Sequence, residues 1–137
     1  PSRAFWTCFA LETVVIPSSV TDIGYEAFDG CKSLKSIVIP DSVTSIGEAA
    51  FARCSALTSI IIPDSVTFIG ECAFYGCSKL VSVRLPNNIT TIQRATFHSC
   101  HELASITLPD SVESIEKEAF HGCILLKSIE ILKNFVD

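Results

Sequence analysis

The chain has 137 residues, of which 48% are hydrophobic and 18% are charged, with 10 Lys and Arg against 15 Asp and Glu. This apolar content excludes a disordered chain, and the shortness of its apolar runs excludes a signal-peptide core and membrane insertion. The net charge of −5 disfavours nucleic acid and anionic membrane surfaces as the main partner.

The sequence repeats itself every 23 residues from end to end. Phe, Cys and Leu each recur at this spacing, in columns that begin at Phe5, Cys8 and Leu11. A fixed period of this length predicts a solenoid, in which each repeat is one coil and equivalent residues stack along a shared axis. We therefore predict a single solenoid domain over residues 1–137, with about six repeats that are partial at both ends, and interpret the chain as a fragment of a longer protein.

The first predicted element of each coil is a β-strand, for example residues 34–39. Consecutive β-branched residues favour extended backbone, and the proline that follows removes a hydrogen-bond donor and ends the strand. Because side chains alternate between the two faces of a strand, Ile37 and Ile39 should point into the solenoid, and Ser36 and Val38 should point outward.

A turn, a second short strand and a compact segment complete the coil. Pro40 favours a turn in which the side chain of Asp41 or Ser42 is expected to cap nearby backbone amides. Residues 43–46 are predicted to form the second strand. The alanine-bearing segment 48–54 is predicted to form a single helical or 3₁₀ turn, because it is too short for a regular helix.

The combined pattern L-x-x-I-x-I-P, V-x-x-I-G and A-F-x-x-C at 23-residue spacing resembles the BspA-like leucine-rich repeats, over essentially the whole chain. The resemblance implies a leucine-rich-repeat solenoid of the α/β horseshoe class, mostly β. This fold is a right-handed stack of coils with a parallel β-sheet on the concave face and short helical or 3₁₀ turns. The resemblance also implies a location at the cell surface or in the secreted fraction, and a role in adhesion rather than catalysis.

Six of the seven cysteines share one column, which argues against a disulfide framework. Pairing neighbours along the column would need three separate bridges and would leave Cys72 without a partner. We therefore predict buried free thiols that act as small core residues, with Cys72 as the most accessible thiol. A ladder of identical positions cannot supply the tetrahedral geometry of zinc, so no cofactor is predicted.

His98 and His121 share another column and should be neighbours on adjacent coils. One interpretation is a surface metal site with His101 as a third ligand. The favoured interpretation is a variable, outward-facing contact column, because aromatic residues are enriched at interfaces. The other members of this column are Trp6, Asp29, Ala52 and Tyr75.

The chain is predicted not to be an enzyme. Its serines form structural columns, whereas a catalytic nucleophile is a unique and activated residue. Its recurring aspartates fall in turns, and no nucleotide-binding loop motif occurs in the sequence.

The outward positions of the first strand are the predicted binding surface, because solenoids usually bind on the open face of their sheet. One outward column is a floor of small hydroxyl residues, and a second column varies. The variable column is predicted to contact a protein partner and consists of Val15, Val38, Ile61, Arg84, Thr107 and Glu130. The alternative is that β-branched residues there only satisfy strand propensity.

These features favour a non-catalytic protein-interaction module, a cell-surface adhesion segment whose partner is a protein such as a host extracellular-matrix or surface protein. The alternative is a structural spacer or stalk with no ligand of its own. Apolar residues also crowd both ends, which favours either further repeats or end-to-end self-association. These residues are Phe5, Trp6 and Phe9 at one end, and Ile124, Leu125, Ile131, Leu132 and Phe135 at the other.

Overall fold

The computed structural model describes residues 3–5 and 8–131. These residues form nine short strands and no helix, so nothing helical in them could cross a lipid bilayer. The strands are β1 (Asp22–Ile23), β2 (Ser45–Ile46), β3 (Ser59–Ile61), β4 (Phe68–Ile69), β5 (Ser82–Arg84), β6 (Thr91–Ile92), β7 (Ser105–Leu108), β8 (Ser114–Ile115) and β9 (Ser128–Ile131).

Each strand pairs in parallel with the equivalent strand of a neighbouring coil. On one side of the coils, β3 pairs with β5 and β7 pairs with β9, and on the other side the orders are β1-β2-β4 and β6-β8. The register has no offset, since Ser59 lies opposite Ser82, 23 residues later. Equivalent residues therefore lie above one another, which confirms the predicted leucine-rich-repeat solenoid.

The phenylalanine column forms the centre of the core. Neighbouring rings from Phe5 to Phe120 stack nearly parallel, with centroids 5.2–5.6 Å apart and interplanar angles of 4–9°. Phe51, Phe74 and Phe97 are completely buried. This continuous interior row is the arrangement on which the assignment of exposed columns depends.

The predicted strand faces are confirmed. Ile37 and Ile39 are buried, whereas Val38 between them is 79% exposed and Ser36 is also exposed. In the second strand region, Val43 and Ile46 are completely buried.

The turn after the first strand is closed by backbone rather than by side-chain caps. The Val43 amide donates to the Pro40 carbonyl at 3.1 Å. The buried Ser42 hydroxyl has no hydrogen-bond partner among the described residues. No side-chain hydrogen bond of Asp41 is found among the described residues either, so the expectation that Asp41 or Ser42 caps the turn was wrong, because the main-chain bond already closes it.

The compact segment 48–54 is a run of β-turns, so the predicted helical or 3₁₀ turn was wrong. Its amides alternate between two kinds of acceptor. Those of Ala50 and Ala52 donate to carbonyls three residues earlier, whereas the Phe51 amide donates to the Ala73 carbonyl of the next coil at 2.8 Å. A helical turn would direct every amide along its own coil, so this segment exchanges half of its helical bonds for bonds between coils.

Left-handed backbone at two positions of each coil produces this alternation. The first position is held by Arg3, Glu26, Ala49, Cys72, Ala95 and Glu118, with φ between 52° and 63°. The second is held by Gly30, Arg53, Gly76, Ser99 and Gly122, with φ between 58° and 80°. Non-glycine residues seldom adopt this conformation, so the bonds between coils must compensate for its cost.

Candidate functional site

The variable column forms one exposed strip along the first strand set. We call Val15, Val38, Ile61, Arg84, Thr107 and Glu130 the strip. Val15, Val38 and Ile61 are 91%, 79% and 68% exposed. Val15 bridges to Val38, Ile61 lies beside Arg84, and Thr107 lies beside Glu130, whose side chain is outside the described part.

A row of exposed serines runs beside the strip. Ser36, Ser59, Ser82 and Ser105 occupy equivalent positions in successive coils and all are exposed. Because their side chains are small, a ligand on the strip can approach the backbone closely.

A groove of about 630 Å³ opens between Val38 and Ile61. Among the described residues, no strand pairing joins residues 36–39 to β3, because Val38 bridges backward to Val15 and β3 pairs forward with β5. The groove therefore lies where the ladder of the first strand set is interrupted.

Arg84 also lines the groove. Its guanidinium donates two hydrogen bonds to the Asp64 carboxylate, at 3.1 Å and 3.2 Å, and a third to the Ile62 carbonyl at 3.1 Å. The Asn87 amide also donates to Asp64, at 3.0 Å. Arg84 first, and then the Asn87 amide, hold the pKa of Asp64 below its ordinary value. Arg84 is therefore an anchored side chain rather than a free cation.

The histidine column is less exposed than predicted. Tyr75 stacks on His98 with centroids 4.7 Å apart, and His98 lies 4.8 Å from His121 at a tilt of 38°. Asp29 and Ala52 are only 4% and 5% exposed, which corrects the prediction that the whole column faces outward. The remaining member, Trp6, lies outside the described residues.

The reason for the burial of Asp29 is an ion pair with Arg53 of the next coil. The guanidinium donates to one carboxylate oxygen of Asp29 at 2.7 Å and 3.0 Å, and to the other at 2.8 Å. The side chain of Asp29 is 6% exposed in this pair, whereas that of Arg53 stays 56% exposed. Sequence reasoning missed this pair, although the two residues are nearly one repeat apart.

The metal interpretation of the histidines finds no support in the arrangement of ligands. Within residues 3–5 and 8–131, no group of three or more His, Cys, Asp or Glu side chains could hold a metal ion. The Nδ1 atom of His98 instead lies 2.8 Å from the Ser99 hydroxyl.

The seven cysteines are free thiols, as predicted. The column has a second role that sequence reasoning missed, because five of its six thiols, from Cys31 to Cys123, donate to the carbonyl of the phenylalanine in the preceding coil. The Cys77 sulfur lies 3.1 Å from the Phe51 carbonyl, and the Cys100 sulfur lies 3.2 Å from that of Phe74. Burial raises the pKa of Cys77 well above its ordinary value and that of Cys100 to about 12.

Cys72 does not stand out as the most accessible thiol. It is partly buried, as are Cys8 and Cys123 at the ends of the column. Burial also raises its pKa, which lowers the fraction of reactive thiolate.

The ends of the stack expose apolar side chains. Phe9 is 57% exposed at one end, and Ile124 and Leu125 are 78% and 46% exposed at the other. Leu132 and Phe135 lie outside the described residues, as does the side chain of Ile131. End-to-end self-association stays a prediction.

Comparison with known families identifies the repeat. The family model described as BspA type leucine rich repeat region matches residues 1–127 in 6 copies. Among curated proteins, none matches the chain.

Solved structures of bacterial leucine-rich repeat proteins share the fold. One from Bacteroides ovatus is 40% identical, with a TM-score of 0.89, over 94% of this chain and 33% of its own length. One from T. pallidum is 34% identical, with a TM-score of 0.72, over 91% of this chain and 69% of its own. One from Eubacterium ventriosum is 28% identical, with a TM-score of 0.80, over 88% of this chain and 33% of its own. The chain thus spans about a third of the Bacteroides ovatus protein.

Proposed function

Because the chain belongs to the BspA-type leucine-rich repeat family, we propose that it is a non-catalytic protein-interaction module that serves as a cell-surface adhesion segment. Its partner is a protein, such as one of the host extracellular matrix, and the strip is the contact surface. The single observation that carries this proposal is the exposure of Val15, Val38 and Ile61, at 91%, 79% and 68%, at equivalent positions of successive coils.

Exposed β-branched residues in a row support a binding role more than a spacer role. A strand needs only extended backbone, and serine or threonine can occupy it without exposing a large apolar side chain to water, as the neighbouring serine row does. A row of apolar side chains at fixed intervals along stacked coils can bury contiguous area against one partner. Affinity would then accumulate over several coils.

A matched pair of glutamate substitutions tests the proposal. Ile61→Glu introduces a charge into the strip, and Phe68→Glu introduces one at a residue that is 48% exposed on the opposite strand set. Capture of the chain by immobilised extracellular-matrix proteins is measured by surface plasmon resonance. We expect Ile61→Glu to weaken capture by about tenfold or more, since burying an unpaired charge in an apolar contact is unfavourable. Phe68→Glu should leave it unchanged.

Thermal unfolding separates binding from folding in this experiment. Both substitutions are at surface positions, so each should shift the Tm by only about 2 °C. If the chain is a spacer without a ligand, the matrix proteins should capture none of it, or should capture the wild type, Ile61→Glu and Phe68→Glu equally. Either result would contradict the adhesion proposal.

A further inference from the structure

The pairing of Arg84 with Asp64 has a counterpart one coil earlier that lacks the cation. Asp41 is the equivalent of Asp64, and Ile61 is the equivalent of Arg84, because both pairs are related by one 23-residue repeat. Ile61 cannot neutralise a carboxylate. The same local frame therefore holds a complete ion pair in one coil and only its acidic half in the coil before it.

The side chain of Asp41 is exposed. No ion pair or hydrogen bond from the described residues reaches it. Asp64, by contrast, accepts bonds from Arg84 and Asn87. In a chain with a net charge of −5, an unpaired carboxylate at the rim of an apolar groove favours a cationic ligand.

The groove has the lining that a long cationic side chain requires. Val38 and Ile61 provide apolar walls, Ser36 and Ser59 provide hydroxyls, and Asp41 provides a carboxylate. Arginine places its aliphatic stem on apolar surface and its guanidinium on a carboxylate. The planar guanidinium can also donate to two or more acceptors in a fixed geometry, whereas the lysine ammonium acts as a compact point charge.

We propose that this groove binds an arginine side chain of the protein partner, in the way that Arg84 binds Asp64 within the chain. The guanidinium would donate two hydrogen bonds to Asp41. A third would go to the carbonyl of Ile39, the equivalent of the Ile62 carbonyl that accepts from Arg84. This inference rests on the proposed function, because it names the chemistry of the partner on the same strip.

The probe is a capped heptapeptide of glycine and serine with one central arginine, titrated into the ¹⁵N-labelled full chain. Matched peptides carry citrulline, which is isosteric and uncharged, or lysine. We expect the arginine peptide to shift the amide resonances of Ser36, Val38, Asp41, Ser59 and Ile61. The citrulline and lysine peptides should shift them at least about fivefold less at equal concentration.

Three variants test the residues. Asp41→Asn should weaken the arginine response by about tenfold, because it removes a charge-assisted contact. Asp110→Asn is the control, since Asp110 is an exposed aspartate at the same turn position of a distant coil. It should leave the response unchanged. Ile61→Arg recreates the internal pair with Asp41 and should abolish the response while the protein stays folded.

Equal shifts with the arginine and citrulline peptides, or an unchanged response in Asp41→Asn, would overturn the arginine assignment. So would an equal response to lysine. Shifts at these residues that grow with protein concentration alone would show that a second copy occupies the groove, and would also overturn it. If Ile61→Glu abolishes capture by matrix proteins and Asp41→Asn leaves it intact, the proposed function stands and the arginine site fails. If Ile61→Glu leaves capture intact, the proposed function fails, and the peptide response alone decides the arginine site.

Discussion

The stacked phenylalanine rings predict a specific pattern of non-additivity between substitutions. Each interior ring contacts two others, so Phe74 stacks on Phe51 at a centroid distance of 5.4 Å and on Phe97 at 5.6 Å. Replacement by leucine keeps an apolar side chain in the core but removes both stacks. Phe51→Leu likewise removes two stacks, and one of them is the stack shared with Phe74.

The magnitude follows from counting stacks. An offset aromatic pair contributes about 0.5–1.5 kcal/mol beyond its buried area, so each single variant should lose about 1–3 kcal/mol of unfolding free energy. The double variant Phe51→Leu/Phe74→Leu loses three stacks rather than four. Its destabilisation should therefore fall short of the sum of the single variants by one stack, about 0.5–1.5 kcal/mol.

Urea denaturation followed by circular dichroism measures these free energies, with two control pairs. Phe28 and Phe97 are separated by two rings and share no stacking partner, so their leucine variants should be additive to within about 0.5 kcal/mol. Ile46→Val with Ile69→Val tests adjacent buried residues without rings. Additivity of the adjacent phenylalanine pair, or equal coupling in either control, would refute the stacking argument.

Three further outcomes follow from the backbone, the ion pair and the thiols. Ala49→Gly relieves left-handed backbone and should keep or raise stability by up to about 1 kcal/mol, whereas the completely buried Ala50→Gly should lower it by about 1–2 kcal/mol in urea denaturation; the reverse order would contradict this. The pKa of Asp64 lies below its ordinary value of 3.8, so the stabilisation from its contact with Arg84 should be complete above that pH and lost as the pH falls through the lowered pKa. The Tm difference between the wild type and Asp64→Asn should accordingly vanish in acid, and a difference that grows in acid would reverse the sign. Iodoacetamide at pH 8 should leave Cys77 unmodified in the native protein and label it in urea, as read by mass spectrometry; equal labelling in both conditions would show that this thiol is accessible in the fold.

The repeat columns correctly predicted the buried core and the outward orientation of Val15, Val38 and Ile61, because a fixed period places equivalent residues above one another in successive coils. Phe51 and Val38 could be assigned to the inside and the outside from period and alternation alone. The contact of Arg84 with Asp64 was also within reach, since both lie at the same edge of neighbouring coils. The column pattern does not reveal it, because the columns group like residues whereas this contact joins unlike residues from two different columns.

The turns of segment 48–54 could not be predicted from the residue types in this segment. Ala49 and Arg53 adopt left-handed backbone although neither residue type favours it, and alanine suggested a helix instead. For Arg53, the useful signal was the glycine at the equivalent position of other coils, Gly30, Gly76 and Gly122, whereas no coil has a glycine at the position of Ala49. The groove beside Val38 lies where the pairing of strands is interrupted. The strand sequences of successive coils are nearly identical, so they do not show where this interruption falls.

In these turns, successive amides donate alternately to their own coil and to the next coil. The solenoid can therefore change length only by whole coils. Half of the turn amides in segment 48–54 donate to carbonyls one coil away. Insertion or deletion of fewer than 23 residues would therefore shift these amides out of register with their acceptors. Gain or loss of one entire coil leaves every donor opposite its usual acceptor. A lineage of such proteins can therefore adjust its reach by duplication or excision of single coils, without redesign of any contact inside them.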